Sequence, residues 1–292
     1  MSSLSLEESA LPGLGIKEDP GEPLGLFFWI CVFWISLNIF GAIFANVLPL
    51  QNPLNENFNA INAAPGLHHL FGTDDLGRDI FSRVVYGSRV SITVGLGAIV
   101  IGYGIGAPLG MLAAFRRGRF DTILTTIMYL LLAFPAIIAT IAVLSFWTPR
   151  SLFKIIVVIG IASVPLVYRV IRTATLSVAT KDYVIAAKVQ GATDRRILMK
   201  ELLPNIAPIA LSFFLIGVAT VIVLEGALAF LGLSVNPPTP SWGNMINEAR
   251  TVLSQNIWLA LFPSLALCFF LIALNFIGDR IRAHFDVTEG KL

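Results

Sequence analysis

Long apolar stretches alternate with short polar segments along most of the chain. A bilayer core about 30 Å thick needs roughly 20 apolar residues per crossing helix. Stretches at about 26–50, 90–115, 123–147, 153–178, 206–233 and 257–278 meet that length. They predict six transmembrane helices. Closed barrels would show short alternating segments instead. The fourth stretch is broken by Pro165, Arg169 and Arg172. Pro135 and Pro165 predict kinks, because each removes a backbone donor.

Two polar segments on one side look organised. The first, HLFGTDDLGRDIFSRVVYGSR, spans 69–89. Thr73 is expected to N-cap a helix with Asp74 and Asp75 in its first turn, near Arg78 and Asp79. Ile80, Val84 and Val85 would then lie along the membrane interface. The carboxylates lack the spacing of a calcium loop. The second, VNPPTPSWGNMINEARTVLSQN, spans 235–256. Trp242 suits the headgroup level, and a short helix is expected over 245–252.

On the other side lies KDYVIAAKVQGATDRRILMKELLPN, residues 181–205. A short helix is expected over 182–190, with Asp182 and Tyr183 at its start and the small Ala186 and Ala187 within it. Gly191 can stop it at positive φ. Thr193 or Asp194 can cap a second helix over 195–203. Pro204 then opens the next span where its missing donor is harmless. A plain membrane-surface helix and a rigid knob for a partner are both compatible with this spacing.

Composition agrees with a membrane protein: 56% hydrophobic, 13% charged, mean hydropathy +0.80. A soluble domain carries about a quarter charged residues. Charge orients the spans. With an inside N-terminus, the inner segments hold all but six of the 20 lysines and arginines: Arg78, Arg83, Arg89, Arg150, Lys154 and Arg250 fall outside. That is the positive-inside pattern, and it places both termini in the cytoplasm. The net charge of +2 follows topology and gives no sign of a nucleic-acid partner. Residues 1–23 are acidic and rich in Gly and Pro, so disorder is expected there. Without a basic n-region the first span is not a signal peptide and is expected to remain. Residues 24–89 are read as the first span and outer segment, 90–280 as the core and 281–292 as a cytoplasmic tail.

No GxxxxGK[ST] phosphate loop occurs, so nucleotide binding of that kind is excluded. His68 and His69 are separated from His284 by the membrane, and no nucleophile–base set is plausible. A non-enzyme without cofactor or metal is expected. Cys31 and Cys268 fall inside spans and read as small hydrophobes. Gly102, Gly106 and Gly110 have the spacing that lets a second helix approach closely, from this chain or another. Glu225, inside the fifth span, costs several kcal/mol unless paired or wet. It either lines a path or makes a polar contact between helices.

The 181–205 segment resembles the cytoplasmic "EAA" signature of permease subunits of binding-protein-dependent ABC importers. Ala186–Ala187, Gly191 and Leu203–Pro204 keep its spacing. Ile185 stands where the first Glu is usual, and Glu201 where Ile is usual. Together with FGTDDLGRDIFSRVVYGSR, LLAFPA, FLGLSVNPPTPSWGNMI and NFIGDRIR, it is similar to the C-type permease of the dipeptide/oligopeptide/nickel group, over about 67–286. The resemblance implies an all-α type I ABC importer permease in the cytoplasmic membrane. It implies a second homologous permease, and two cytoplasmic ATPase subunits carrying ATP and Mg. An extracytoplasmic solute-binding protein would dock on the outer segments holding Asp74, Asp75, Arg78, Asp79 and Trp242. The helix around 184–190 would couple to the ATPases. An ion-driven secondary transporter and a scaffold subunit without cargo are the alternatives from other classes. The first would want inverted repeats and paired intramembrane charges.

Overall fold

The computed structural model describes residues 25–147 and 150–289, with side chains described to residue 283. The expected disorder of residues 1–23 lies outside them. Helices account for nearly all regular structure. Among the described residues the one β-type pairing is an isolated bridge between Thr73 and Asp79.

The long helices are α1 (Leu26–Phe44), α2 (Ile80–Arg116), α3 (Gly118–Ala133), α4 (Ala136–Phe146) and α5 (Leu152–Val178). They are followed by α6 (Asp182–Val189), α7 (Asp194–Arg196), a π-helical stretch (Ile197–Leu202), α8 (Leu203–Phe230), α9 (Trp242–Ala249) and α10 (Trp258–Glu289). Among the described residues, five helical stretches are long and apolar enough to cross a membrane, or six if α3 and α4 form one broken span. The six predicted stretches match these, with boundaries that differ for physical reasons.

The second span begins ten residues earlier than expected, at Ile80, because Asp79 caps it by accepting from Ser82 N at 2.8 Å. The third span is two helices bent by 77°. Pro135 causes the break. It has no N–H to give, and it holds Phe134 extended at φ −84°, ψ 129°. Pro165, by contrast, sits within continuous α5. The last helix continues past Gly278 to Glu289, so the expected tail is largely helical.

The predicted helix over 195–203 and the fifth span are one continuous rod. The π stretch lies directly before Pro204 and Pro208, neither of which can donate. Widening the helix there accommodates the first proline ring. The side chain of Asn205 donates to Glu201 O at 2.6 Å in the same turn.

The core is the contact of α2 with α5. A Cβ on Gly106 would lie 2.7 Å from Val164 O, and one on Gly110 would lie 2.6 Å from Tyr168 O. Gly102 faces Ser163 and Val167 in the same seam. The small residues therefore pack helices of one chain, the first of the two uses open from the sequence. On the other side of α2, Gly95 is pressed against Ile222 of α8. Tyr168 is fully buried and shares a hydrogen bond with Thr125 at 2.8 Å. Arg172 donates twice to Asp121, at 2.6 and 2.7 Å, fastening α5 to the start of α3.

The outer rim of the bundle is apolar. Phe33 is 67% exposed on α1 and Phe153 70% on α5. Cys31 is buried but Cys268 is exposed on α10, so only the first behaves as a core hydrophobe.

Gly106→Leu is expected to abolish folding of the bundle, because backbone, not a movable side chain, meets the new atoms. Gly104→Leu is the control, since nothing lies within 4 Å of a Cβ there. Yield of monodisperse protein in mild detergent reads the difference.

Candidate functional site

Three structures carry chemistry beyond packing: one on α6 and α7, one joining the 57–79 segment to α2 and α9, and one joining α8 to α2 and the start of α9. The first is the α6–α7 loop. Lys181 begins α6 without a side-chain cap, and Asp182 in the first turn suits the helix dipole. Gly191 ends it at φ +78°, with its N–H on Lys188 O at 3.0 Å. Thr193 then caps α7 by accepting from Arg196 N. The turn expected from spacing alone is therefore present in each part.

Within α6, Val184 is fully buried and Ala187 half-buried. Tyr183, Ile185 and Val189 are 42%, 50% and 83% exposed. Ala186 is exposed, and so are Gly191 and Pro204. The helix is thus pinned to the π stretch by one side while its outer side offers apolar and small residues to solvent. Lys188 reaches back over the Phe115 ring, 4.7 Å from its centroid, and so touches the end of α2.

The second structure is a buried ionic knot joining the 57–79 segment to α9. Asp74 is fully buried. Its carboxylate accepts from Leu76 N at 3.0 Å, from Arg78 N at 2.8 Å and from Arg78 Nε at 2.6 Å. Arg83, also fully buried, reaches Glu248 at 2.7 Å through Nη2 and Asp74 at 3.6 Å through Nε. Arg78 Nη2 lies 3.5 Å from the same Glu248 oxygen. Burial pushes the Glu248 carboxyl up, against the opposing pull of Arg83 and Arg78.

This corrects the expected helix after Thr73. Gly77 has φ +74°, and a Cβ there would sit 1.9 Å from Asn57 O. The chain therefore turns tightly, and Asp74 organises the turn instead of lying in a helix N-terminus. Thr73 bonds Ala60 O and accepts from Ala63 N, inside the loop. Ile80 and Val84 face the core, not the membrane interface. Asp79 holds His69 Nδ1 at 3.0 Å, so that histidine is not simply solvated. Of the acidic and basic residues singled out in this segment, Asp75 alone keeps substantial exposure, at 42% of its side chain.

Arg83 and Glu248 were not singled out from the sequence. Nothing local marks them, since they are 165 positions apart. Arg83→Met is expected to destabilise the protein by about 3–5 kcal/mol, because Glu248 loses its nearest counter-charge and Asp74 the second of its two, leaving Arg78 to serve both. Glu248→Gln should cost less, since that side chain is 20% exposed. Thermal unfolding in detergent ranks the two.

The third structure surrounds Glu225. Its carboxylate accepts from Ser234 Oγ at 2.6 Å, Ser241 Oγ at 3.2 Å and Ser91 Oγ at 3.3 Å. It thereby ties α8 to α2 and to the loop before α9. Ser241 also caps α9, accepting from Asn244 N. Trp242 is fully buried here, contrary to the headgroup placement. Its ring N–H donates to Val84 O at 3.0 Å and its backbone N–H to Ser91 Oγ at 3.3 Å. The helix expected over 245–252 runs over Trp242–Ala249, started by that serine cap.

Among the described residues no group of three His, Cys, Asp or Glu is placed to hold a metal ion. The arrangement offers a bundle with an exposed short helix on one loop and a charge-knotted cap on another.

Comparison with known proteins gives these parts their class. Residues 106–287 match the family described as binding-protein-dependent transport system inner membrane component. The chain belongs to this family: it is an ABC importer permease, a multi-pass inner membrane component. It is 40% identical over 229 residues to a putative peptide transport system permease protein of Brucella suis, covering 78% of this chain and 75% of that one. It is 36% identical over 246 residues to the dipeptide transport system permease protein DppC of Alkalihalophilus pseudofirmus, covering 84% and 80%. It is 37% identical over 254 residues to the glutathione transport system permease protein GsiD of Escherichia coli, covering 87% and 84%. Among solved structures, the inward-facing MetNI methionine ABC transporter shares the fold, with TM-score 0.62 and 21% identity over 70% of this chain and 97% of that one. The type I importer fold follows.

Proposed function

We propose that this chain forms one half of the translocation path of an ATP-driven importer of di- or oligopeptides. The relatives named above as peptide, dipeptide and glutathione permeases support that cargo class. The observation that carries the mechanism is the outward side of α6, where Tyr183, Ile185 and Val189 stand exposed on a helix anchored through Val184. Exposed apolar groups on a short, well-stopped helix need a partner's groove.

In this reading α6 lies in the cytoplasm, as do both termini. Residues 90–280 form the transport core, preceded by the first span and outer segment at 24–89. A homologous second permease completes the path, and lipid covers the remaining apolar rim. Two separate ATPase subunits bind ATP and Mg, and one grips α6. This chain itself catalyses nothing. ATP binding biases the permease only through contacts that differ between two states, and Asp182, Tyr183, Ala186 and Ala187 supply them. Gly191 and Pro204 set the angle at which α6 meets the α7–α8 rod. That rod runs without a break from the loop to Glu225, so movement of α6 reaches the outer cap. A solute-binding protein docks on the outer cap. Asp75 meets it directly, while Asp74, Arg78, Asp79 and Trp242 hold the cap's shape from inside.

Purification of the chain from its native membrane in mild detergent, followed by mass spectrometry, tests the assembly. A sister permease and two P-loop ATPases are expected. Recovery of this chain alone from a preparation that still transports would move the energy source to an ion gradient.

A further inference from the structure

Arg169 lies in α5 one turn before Arg172, and the two guanidiniums have opposite surroundings. Arg172 is neutralised by Asp121. Arg169 has no acidic partner within 4.0 Å among the described residues, and its side chain makes no hydrogen bond there. It sits nine residues before the end of α5 at Val178, about 13 Å along the axis at 1.5 Å per residue. A lone charge at such a depth faces a protein partner or a wet cavity, seldom lipid.

Arg169 lines a cavity of about 170 Å³ shared by α2, α5 and α8. The hydroxyls of Tyr103, Ser163 and Thr220 line it too. Each already donates to a backbone carbonyl: Tyr103 to Ala210 O, Ser163 to Ile159 O and Thr220 to Ile216 O. The uncommitted side-chain donors of this cavity are therefore those of Arg169. The other walls include Leu166, Phe213, Ile216 and Val221. Leu166 and Thr220 are exposed in the single chain, so the cavity opens on the bundle surface.

We propose that Arg169 is a specificity-determining residue that binds a carboxylate of the passing solute. Its planar fork matches a carboxylate through two parallel hydrogen bonds, while the apolar walls accept the adjoining side chain. The assignment rests on the peptide reading above, where the group bound is the C-terminal carboxylate.

The test uses the assembled importer in proteoliposomes, with one binding protein throughout and ATP inside the appropriate compartment. Uptake of radiolabelled Ala-Ala is compared with its C-terminal amide. Because the binding protein is constant, a change in the ratio between permease variants reports the permease. The expected result is a free-acid preference that falls at least tenfold in Arg169→Gln and partly in Arg169→Lys, which keeps charge but loses the fork. A ratio unchanged in Arg169→Gln overturns the assignment while leaving the peptide reading intact. Loss of the sister permease from the Arg169→Gln complex overturns it too, placing the guanidinium on an acid of that partner. A wild-type complex that moves neither peptide overturns the peptide reading and this assignment with it.

Discussion

Gly191→Pro is expected to abolish ATP-driven uptake while leaving the bundle folded in the membrane. Gly191 holds φ +78° and donates its N–H to Lys188 O. Proline fixes φ near −65° and has no N–H, so both features are lost at once. The strain falls on the exit from α6, whose sole fully buried residue is Val184. The helix should swing from its seat without disturbing α2, α5 or α8. No atom lies within 4 Å of a Cβ at this site, so crowding is not the issue. Gly191→Asn should therefore keep much of the activity, because Asn tolerates the left-handed region. Uptake in proteoliposomes, beside a detergent melting curve for each variant, separates coupling from folding. Normal uptake by Gly191→Pro would remove α6 from the coupling role.

Glu225→Ala is expected to lower both stability and transport. The substitution leaves the hydroxyls of Ser91, Ser234 and Ser241 without their shared buried acceptor. Each orphaned polar group costs about 1–3 kcal/mol. The loop before α9 should loosen, and the serine cap of α9 with it. Glu225→Gln is the informative partner. A Gln oxygen can still accept from serine, so the cap should hold and melting should change by less than half as much. Transport by Glu225→Gln near the wild-type rate would mean that the residue serves as a fastening. Transport lost in a protein that melts normally would mean that the carboxylate charge itself is used in the path.

The 181–205 loop was legible in the sequence because every signal there is local. Gly191, Thr193 and the helix over 182–190 depend on neighbours a few positions away, and each adopts the expected geometry. The spans were legible for a similar reason, since length and apolarity suffice to find them. The 69–89 segment was not. Thr73, Asp74 and Asp75 mimic a helix start, yet Gly77 turns the chain and Asp79 supplies the real cap. Asp74 spends its carboxylate within its own turn, on Leu76 N and Arg78, while the deciding contacts of Trp242 come from tertiary packing against Val84 and Ser91. Glu225 was conspicuous from its place among apolar residues, but two of its serine partners lie in a loop and one on another helix. No periodicity within its own span could name them. The α3–α4 break was half visible: Pro135 marks the place, and only the fold gives the 77° turn.

In the proposed mechanism, force enters this permease through α6. The most direct measurement places a photo-crosslinking amino acid at Val189, the most exposed large apolar residue of that helix, in native membranes. One adduct with the mass of an ATPase subunit is expected, with a yield that changes when ATP is added. The same probe at Asp75 should give no such adduct and should instead capture the solute-binding protein. An ATPase adduct from position 75, or none from position 189 in membranes that still take up solute, would take the coupling role away from α6.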